Sequence, residues 1–180
     1  MRQFAILTIG ASVLCSVIVW GADAEKKGGY DRSIYSSSTS RAVETLLQKT
    51  GETQLLKDTW SIETSVEEEF AITHLITGKG DARKKTRFYL FKESGKWIAY
   101  ATLPTHKDNL YVFRELAVNY LTEKRGKWTG ASFADKSWQN KDKKQRVINF
   151  VYTEEGKGVP VSLAFTFTKE KGWHITAANK

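Results

Sequence analysis

From Phe4 to Trp20 the chain carries no charged residue, and beyond it apolar positions follow two periods, one helical and one of two residues. Residues 25–40 (EKKGGYDRSIYSSSTS) have neither period and read as a flexible, polar lead-in. Over 41–58, Val43, Leu46, Leu47, Leu55 and Leu56 give one apolar side, with Ser38, Thr39 or Ser40 as cap. Gly51 ends a first helix there, and Glu52 opens a short second one. From Trp60 the period becomes two. Trp60 to Val66 reads as a short strand, and Phe70, Ile72, His74 and Ile76 share one face of the next. After a turn at Gly78 to Gly80 come strands at Arg87 to Lys92 and Trp97 to Leu103, joined at Ser94 and Gly95. Asp108 is placed to cap a helix whose face carries Leu110, Phe113, Ala117, Tyr120 and Leu121, with Gly126 at its end. Strands follow at Trp128 to Trp138, Gln145 to Thr153 and Val159 to Lys169, where Val161, Leu163, Phe165 and Phe167 alternate with polar or small residues. Trp173 to Ala177 closes the last hairpin.

This is an α+β pattern, with helices packed on antiparallel β-sheet. It also has an internal echo. FYLFKESGKWIAYAT (88–102) and AFTFTKEKGWHITAA (164–178) each run from aromatic residues through Lys-Glu-x-Gly to a tryptophan. Each helical region is followed by a tryptophan, Trp60 or Trp128, and a basic loop precedes each aromatic strand. These matches favour two tandem helix-plus-four-strand units, 41–104 and 105–180, within the α+β region 41–180. The unequal spacings, 37 residues from Trp60 to Trp97 and 45 from Trp128 to Trp173, argue against exact duplication, so both organisations stay open. A helix across a four-stranded antiparallel sheet resembles the cystatin-like layout, and two in tandem resemble the beta-lactamase inhibitor protein arrangement. One curved sheet with helices in its concave side, ending on a hairpin such as FTFTKEKGWHI, resembles the nuclear-transport-factor-two-like fold. These likenesses are of topology and imply no particular functional residue.

The uncharged N-terminal run sits behind Arg2 and ends in Ala22-x-Ala24. It reads as a signal peptide, residues 1–24, cleaved after Ala24, which places the protein in the periplasm or outside the cell. Cys15 follows Leu14 rather than a small residue, so lipid attachment there is not expected. No cysteine follows Cys15, which excludes disulfides, thiol catalysis and cysteine-bound metal from residues 25–180. The formal net charge of +8 points to anionic partners.

Candidate chemistry is sparse. His74, His106 and His174 show no ligand spacing, and His74 reads as a hydrogen-bonded core histidine. There is no Gly-x-Ser-x-Gly and no phosphate-binding glycine loop, and Glu67, Glu68 and Glu69 read as a solvated strand entry. No cofactor, metal or catalytic constellation is therefore expected. Two basic loops stand out, each with five basic residues and one acid: Lys79 to Arg87, and Lys136 to Arg146. Arg83, Lys84, Lys85, Arg87, Lys143, Lys144 and Arg146 are the expected contacts of one positive edge, with Trp138 as an aromatic anchor among lysines. Charged hairpin tips also serve simply to stop sheet edges from pairing. The function expected is a non-enzymatic exported module that binds a protein or an anionic envelope component, not nucleic acid. The alternatives are an inhibitor or immunity protein, and a small-ligand or enzymatic pocket between helix and curved sheet.

Overall fold

The computed structural model describes residues 15–20, 29–125, 128–133, 139–142 and 144–179. The chain divides at Thr102/Leu103 into two compact units, each with helix packed on an antiparallel sheet.

The first unit is ordered from within the expected lead-in. A 3-10 turn, Arg32–Tyr35, is capped by the Asp31 carboxylate, which accepts from the Ser33 amide. Tyr30, Ile34 and Tyr35 are buried, so residues 29–40 are not the flexible segment their polar composition suggested. Three large apolar side chains among serines are enough to anchor a turn. A side-chain network fixes this turn to the first helix: the Tyr30 hydroxyl donates to Glu44 at 2.5 Å, and Gln48 donates to Tyr30 at 2.7 Å.

That helix, α1 (Ser38–Thr50), starts one residue earlier than the expected caps allow. The Ser37 hydroxyl accepts from the Ser40 amide. Gly51 ends α1 at φ 79°, and α2 (Thr53–Asp58) follows. Val43, Leu47 and Leu56 pack on the sheet with Ile62, Ala71, Leu75, Phe88 and Leu90.

The sheet runs in chain order: β1 (Cys15–Trp20), β2 (Thr59–Glu67), β3 (Phe70–Thr77), β4 (Lys84–Glu93) and β5 (Lys96–Tyr100). β1 lies inside the stretch read as a signal peptide and pairs with β2 from Cys15 opposite Val66 to Trp20 opposite Ser61. On β3 the face turned to α1 carries Ala71, Thr73 and Leu75, with the Thr73 hydroxyl paired to that of Thr64. Phe70, Ile72, His74 and Ile76 share a face as expected, but it is the reverse one. Phe70, Ile76, Tyr89 and Phe91 are buried there too, so both faces of this sheet are apolar. Period alone does not tell such faces apart.

The second unit begins with α3 (Leu110–Arg125). Its cap is Asn109, whose side-chain oxygen accepts from the Tyr111 amide at 2.8 Å, and not Asp108. β6 (Trp128–Phe133) and β7 (Gln139–Asp142) pair with different stretches of β8 (Gln145–Glu154). β9 (Lys157–Thr168) and β10 (Gly172–Asn179) complete the sheet. Phe113, Ala117 and Leu121 of α3 pack on Ile148, Phe150, Tyr152, Leu163, Phe165 and Trp173. The Phe113 ring meets Phe165 and Trp173 edge-on at 5.0 Å each, a geometry that adds about 1 kcal/mol per pair to the burial itself. Among the described residues no helix is long and apolar enough to cross a membrane.

The Tyr35 hydroxyl is the weak point of the first core. Burial pushes its pKa up to about 12, with Thr59 acting in the opposite direction. The Thr59 hydroxyl donates to the Leu55 carbonyl at 2.6 Å, and Tyr35 Oη has no hydrogen-bond partner of normal geometry. A buried hydroxyl without a partner costs about 1–3 kcal/mol. Tyr35→Phe is therefore expected to leave stability unchanged or raise it by about 1 kcal/mol, read from the urea midpoint. A loss larger than about 1 kcal/mol would mean that the hydroxyl is bonded.

Candidate functional site

The first basic loop gathers around Trp60. At the start of β2 the pairing slips between Thr59 (opposite Thr77) and Ser61 (opposite Ile76), leaving Trp60 at a bulge. Such bulges re-aim a side chain. The indole Nε1 donates to the Gly78 carbonyl at 2.6 Å, and the Arg83 guanidinium lies 5.8 Å from the ring centroid. Gly78 has φ 67°, and a Cβ there would stand 2.2 Å from the Ala82 carbonyl oxygen, so the loop closes only around glycine. Two open clefts of about 550 and 450 Å³ share Trp60 and Lys79. Lys84 and Asp58 line the larger, and Arg83 and Gly80 the other.

Beside the clefts, Glu63 of β2, His74 of β3 and Arg87 of β4 stand directly opposite one another across three strands. Glu63 takes two cations, Lys85 at 2.6 Å and Arg83 at 3.0 Å. The Lys85 hydrogen bond foremost holds the Glu63 carboxyl below its ordinary range. Arg87 Nε donates to His74 Nε2 at 3.2 Å, which requires an unprotonated Nε2 and so a neutral ring. His74 is half-buried and ligated by an arginine, rather than the core histidine expected.

Partial burial, then Arg87 and Lys85, lower the His74 pKa, against the pull of Glu63. The sign follows directly. The unfolded chain takes up this proton near pH 6.5 while the folded chain resists it, so stability falls as pH drops below 6.5 and is unaffected above. His74→Gln should lose less stability than the parent between about pH 7 and 5, as measured by urea unfolding. Equal losses in the two would remove His74 from the acid response.

Of the expected contacts, Arg83, Lys84, Lys85 and Arg87 are exposed on the first unit. Trp138 and Lys143 lie outside the described residues. Lys144 is exposed in the second unit. Arg146 is not a surface contact: it is 6% exposed, on the β8 face that carries Ile148, Phe150 and Tyr152. Its Nη2 reaches Asp108 Oδ2 at 2.5 Å, and its guanidinium lies over Trp173 at 5.0 Å. Strand alternation turns it inward, and an acid and an indole compensate the buried charge.

Sequence reasoning missed Trp60, Glu63 and Lys79 as one group. Only Lys79 carried a local signal, from its place in the basic loop; Glu63 joins through strand register. The pocket alternative looked to a cavity between helix and curved sheet, and neither His74 nor Glu67 or Glu69 lines one among the described clefts. A cleft of about 230 Å³ does lie in the first unit, but Ile34, Ile62, Val66, Trp97 and the hydroxyls at the start of α1 line it instead. Among the described residues no three His, Cys, Asp or Glu side chains are grouped to hold a metal ion. No family model, curated protein or solved structure matches this chain.

Proposed function

We propose that the protein is an exported, non-enzymatic binding module whose first unit recognises an anionic group, on a protein or an envelope component, at the Trp60 cleft. The observation that carries this reading is the convergence of Lys79, Arg83 and Lys84 on one partly exposed indole, with Lys85 and Arg87 further along β4. Cations around an aromatic platform supply charge attraction and a flat apolar contact together, the pairing that suits an interface anchor. Glu63 competes for two of the cations, and an incoming anion would displace it. Whether the partner is an enzyme being blocked depends on its identity.

The test is a pull-down from host envelope extract with the chain from Glu25, at about 0.05 and 0.5 M salt. Arg83→Glu/Lys84→Glu should lower the recovered partner at least about tenfold at low salt. Lys144→Glu should retain it. Glu63→Gln should strengthen capture several-fold, roughly, because it frees both cations. A partner indifferent to salt, to Arg83→Glu/Lys84→Glu and to Glu63→Gln would overturn the reading and turn attention to the 230 Å³ cleft.

A further inference from the structure

The exposed edges of the two sheets are unequal. β5 is five residues long and begins on a lysine. β10 has a register break between Ile175 and Ala177, and β6 one between Trp128 and Gly130. Short edges, lysines and bulges are the devices that stop a sheet from accepting a foreign strand. The outer side of β2 lacks them: Ser61 to Val66 (SIETSV) has no proline, no lysine and no register break. In the full chain that side is filled by β1, six residues in unbroken antiparallel register. Every residue of β1 lies before Ala24, whereas among the described side chains both hydrophobic cores begin at or beyond Tyr30. Cleavage after Ala24 would strip that one strand from the edge.

We propose that Ser61–Val66 of β2 is a strand-acceptor site, filled by the chain's own leader before cleavage and open afterwards to an extended, uncharged, β-branched-rich segment of another protein. The leader strand, Cys-Ser-Val-Ile-Val-Trp, defines that chemistry. Main-chain hydrogen bonds along the edge supply affinity, and alternate side chains supply selectivity. A second copy of this chain is the poorer occupant, because it sets a strand bearing Glu63 and Glu67 against itself. Val66, 39% exposed, offers an incoming strand apolar contact at one end of the site. The inference shares with the proposed function the removal of the leader and one residue, Glu63, and does not need the cations of the basic cleft.

The probe is a synthetic peptide of residues 14–21 with a solubilising polar tail. It is added to the chain from Glu25 and, separately, to the full chain with its leader retained. The chain from Glu25 should bind saturably, with amide exchange slowed at alternate positions of Ser61–Val66. The full chain should bind at least about tenfold more weakly, since its edge is occupied. N-methylation of alternate peptide residues should cost at least about tenfold, because it removes the main-chain donors and leaves composition alone. Lys84→Glu, at a residue that lines the anion cleft without touching Glu63, should leave this binding unchanged, separating it from that cleft. No binding, indifference to N-methylation, or protection elsewhere would each overturn the site. A β2-mediated dimer that excludes the peptide would overturn the choice of partner. An exported protein whose intact mass still includes residues 1–24 would overturn the opening step.

Discussion

Arg146→Glu is expected to unfold the second unit under conditions where the parent is folded. The side chain is 6% exposed, it meets Asp108 at 2.5 Å, and its guanidinium lies on the Trp173 ring. A glutamate there buries a carboxylate beside another and removes the only charge complement that the structure pairs with Asp108 among the described ion pairs. Removing one partner of a buried pair costs about 3–5 kcal/mol, and reversal adds repulsion, so a loss above about 4 kcal/mol is expected. Arg146→Met keeps the stem packed on Trp173 without the charge and should cost only about 1–2 kcal/mol, Asp108 being half-exposed and able to hydrate. Urea unfolding followed by tryptophan fluorescence reads both. Lys84→Glu, at the exposed start of β4, should stay within about 0.5 kcal/mol. A mild effect of Arg146→Glu, with retained fluorescence, would return Arg146 to the surface and undo its structural assignment.

The two look-alike hairpins should part company under the same substitution. Gly95 and Gly172 both follow Lys-Glu-x, and both have positive φ, 79° and 67°. Gly95 sits in a two-residue turn between Glu93 and Lys96, and a Cβ there meets nothing within 4 Å. Gly172 instead pairs with Thr168 across a three-residue loop, and a Cβ there would stand 2.6 Å from both the carbonyl and hydroxyl oxygens of Thr105. That approach has a purpose: the Thr105 carbonyl accepts from the Trp173 amide at 2.7 Å, and its hydroxyl donates to the Lys171 carbonyl at 3.0 Å. Gly95→Ala should therefore cost only the left-handed backbone penalty, about 1–2 kcal/mol. Gly172→Ala adds a backbone clash of about 1–3 kcal/mol and loosens the loop that seats Trp173, for a total of about 3–5 kcal/mol. Equal costs in thermal unfolding would mean that the hairpins are structurally equivalent after all.

The pair of hairpins shows where local pattern stops being informative. Lys-Glu-x-Gly specifies that a turn occurs and that glycine takes the left-handed conformation, because both depend on a few adjacent residues. Which turn forms depends on strand register, and whether the glycine also admits a neighbour depends on a loop 67 residues away in the chain. The helices behaved similarly. The apolar stripes of α1 and α3 and the stop at Gly51 were legible, since period and cap are local properties. The caps themselves moved by one residue, to Ser37 and Asn109, because several neighbouring side chains were chemically able to serve.

At the candidate site the basic residues were legible as a composition, and their roles were not. Arg83, Lys84, Lys85 and Arg87 remain exposed, whereas Arg146, alike in sequence, is a core residue, because alternation along β8 gives it the inward phase. His74 is drawn to Arg87 and Glu63 by the register of three strands, and Trp60 is placed over the loop by a bulge. Residue types and short spacings were enough for the α+β class, the order of the three main helices and the longer strands beyond residue 40, the turn glycines and the excess of positive charge. Tertiary pairing was needed to settle which strand face packs against the helix, which arginine is buried, which carboxylate pairs with the cations and which strand β1 covers. These depend on pairing between residues far apart in the chain, which local spacing does not encode.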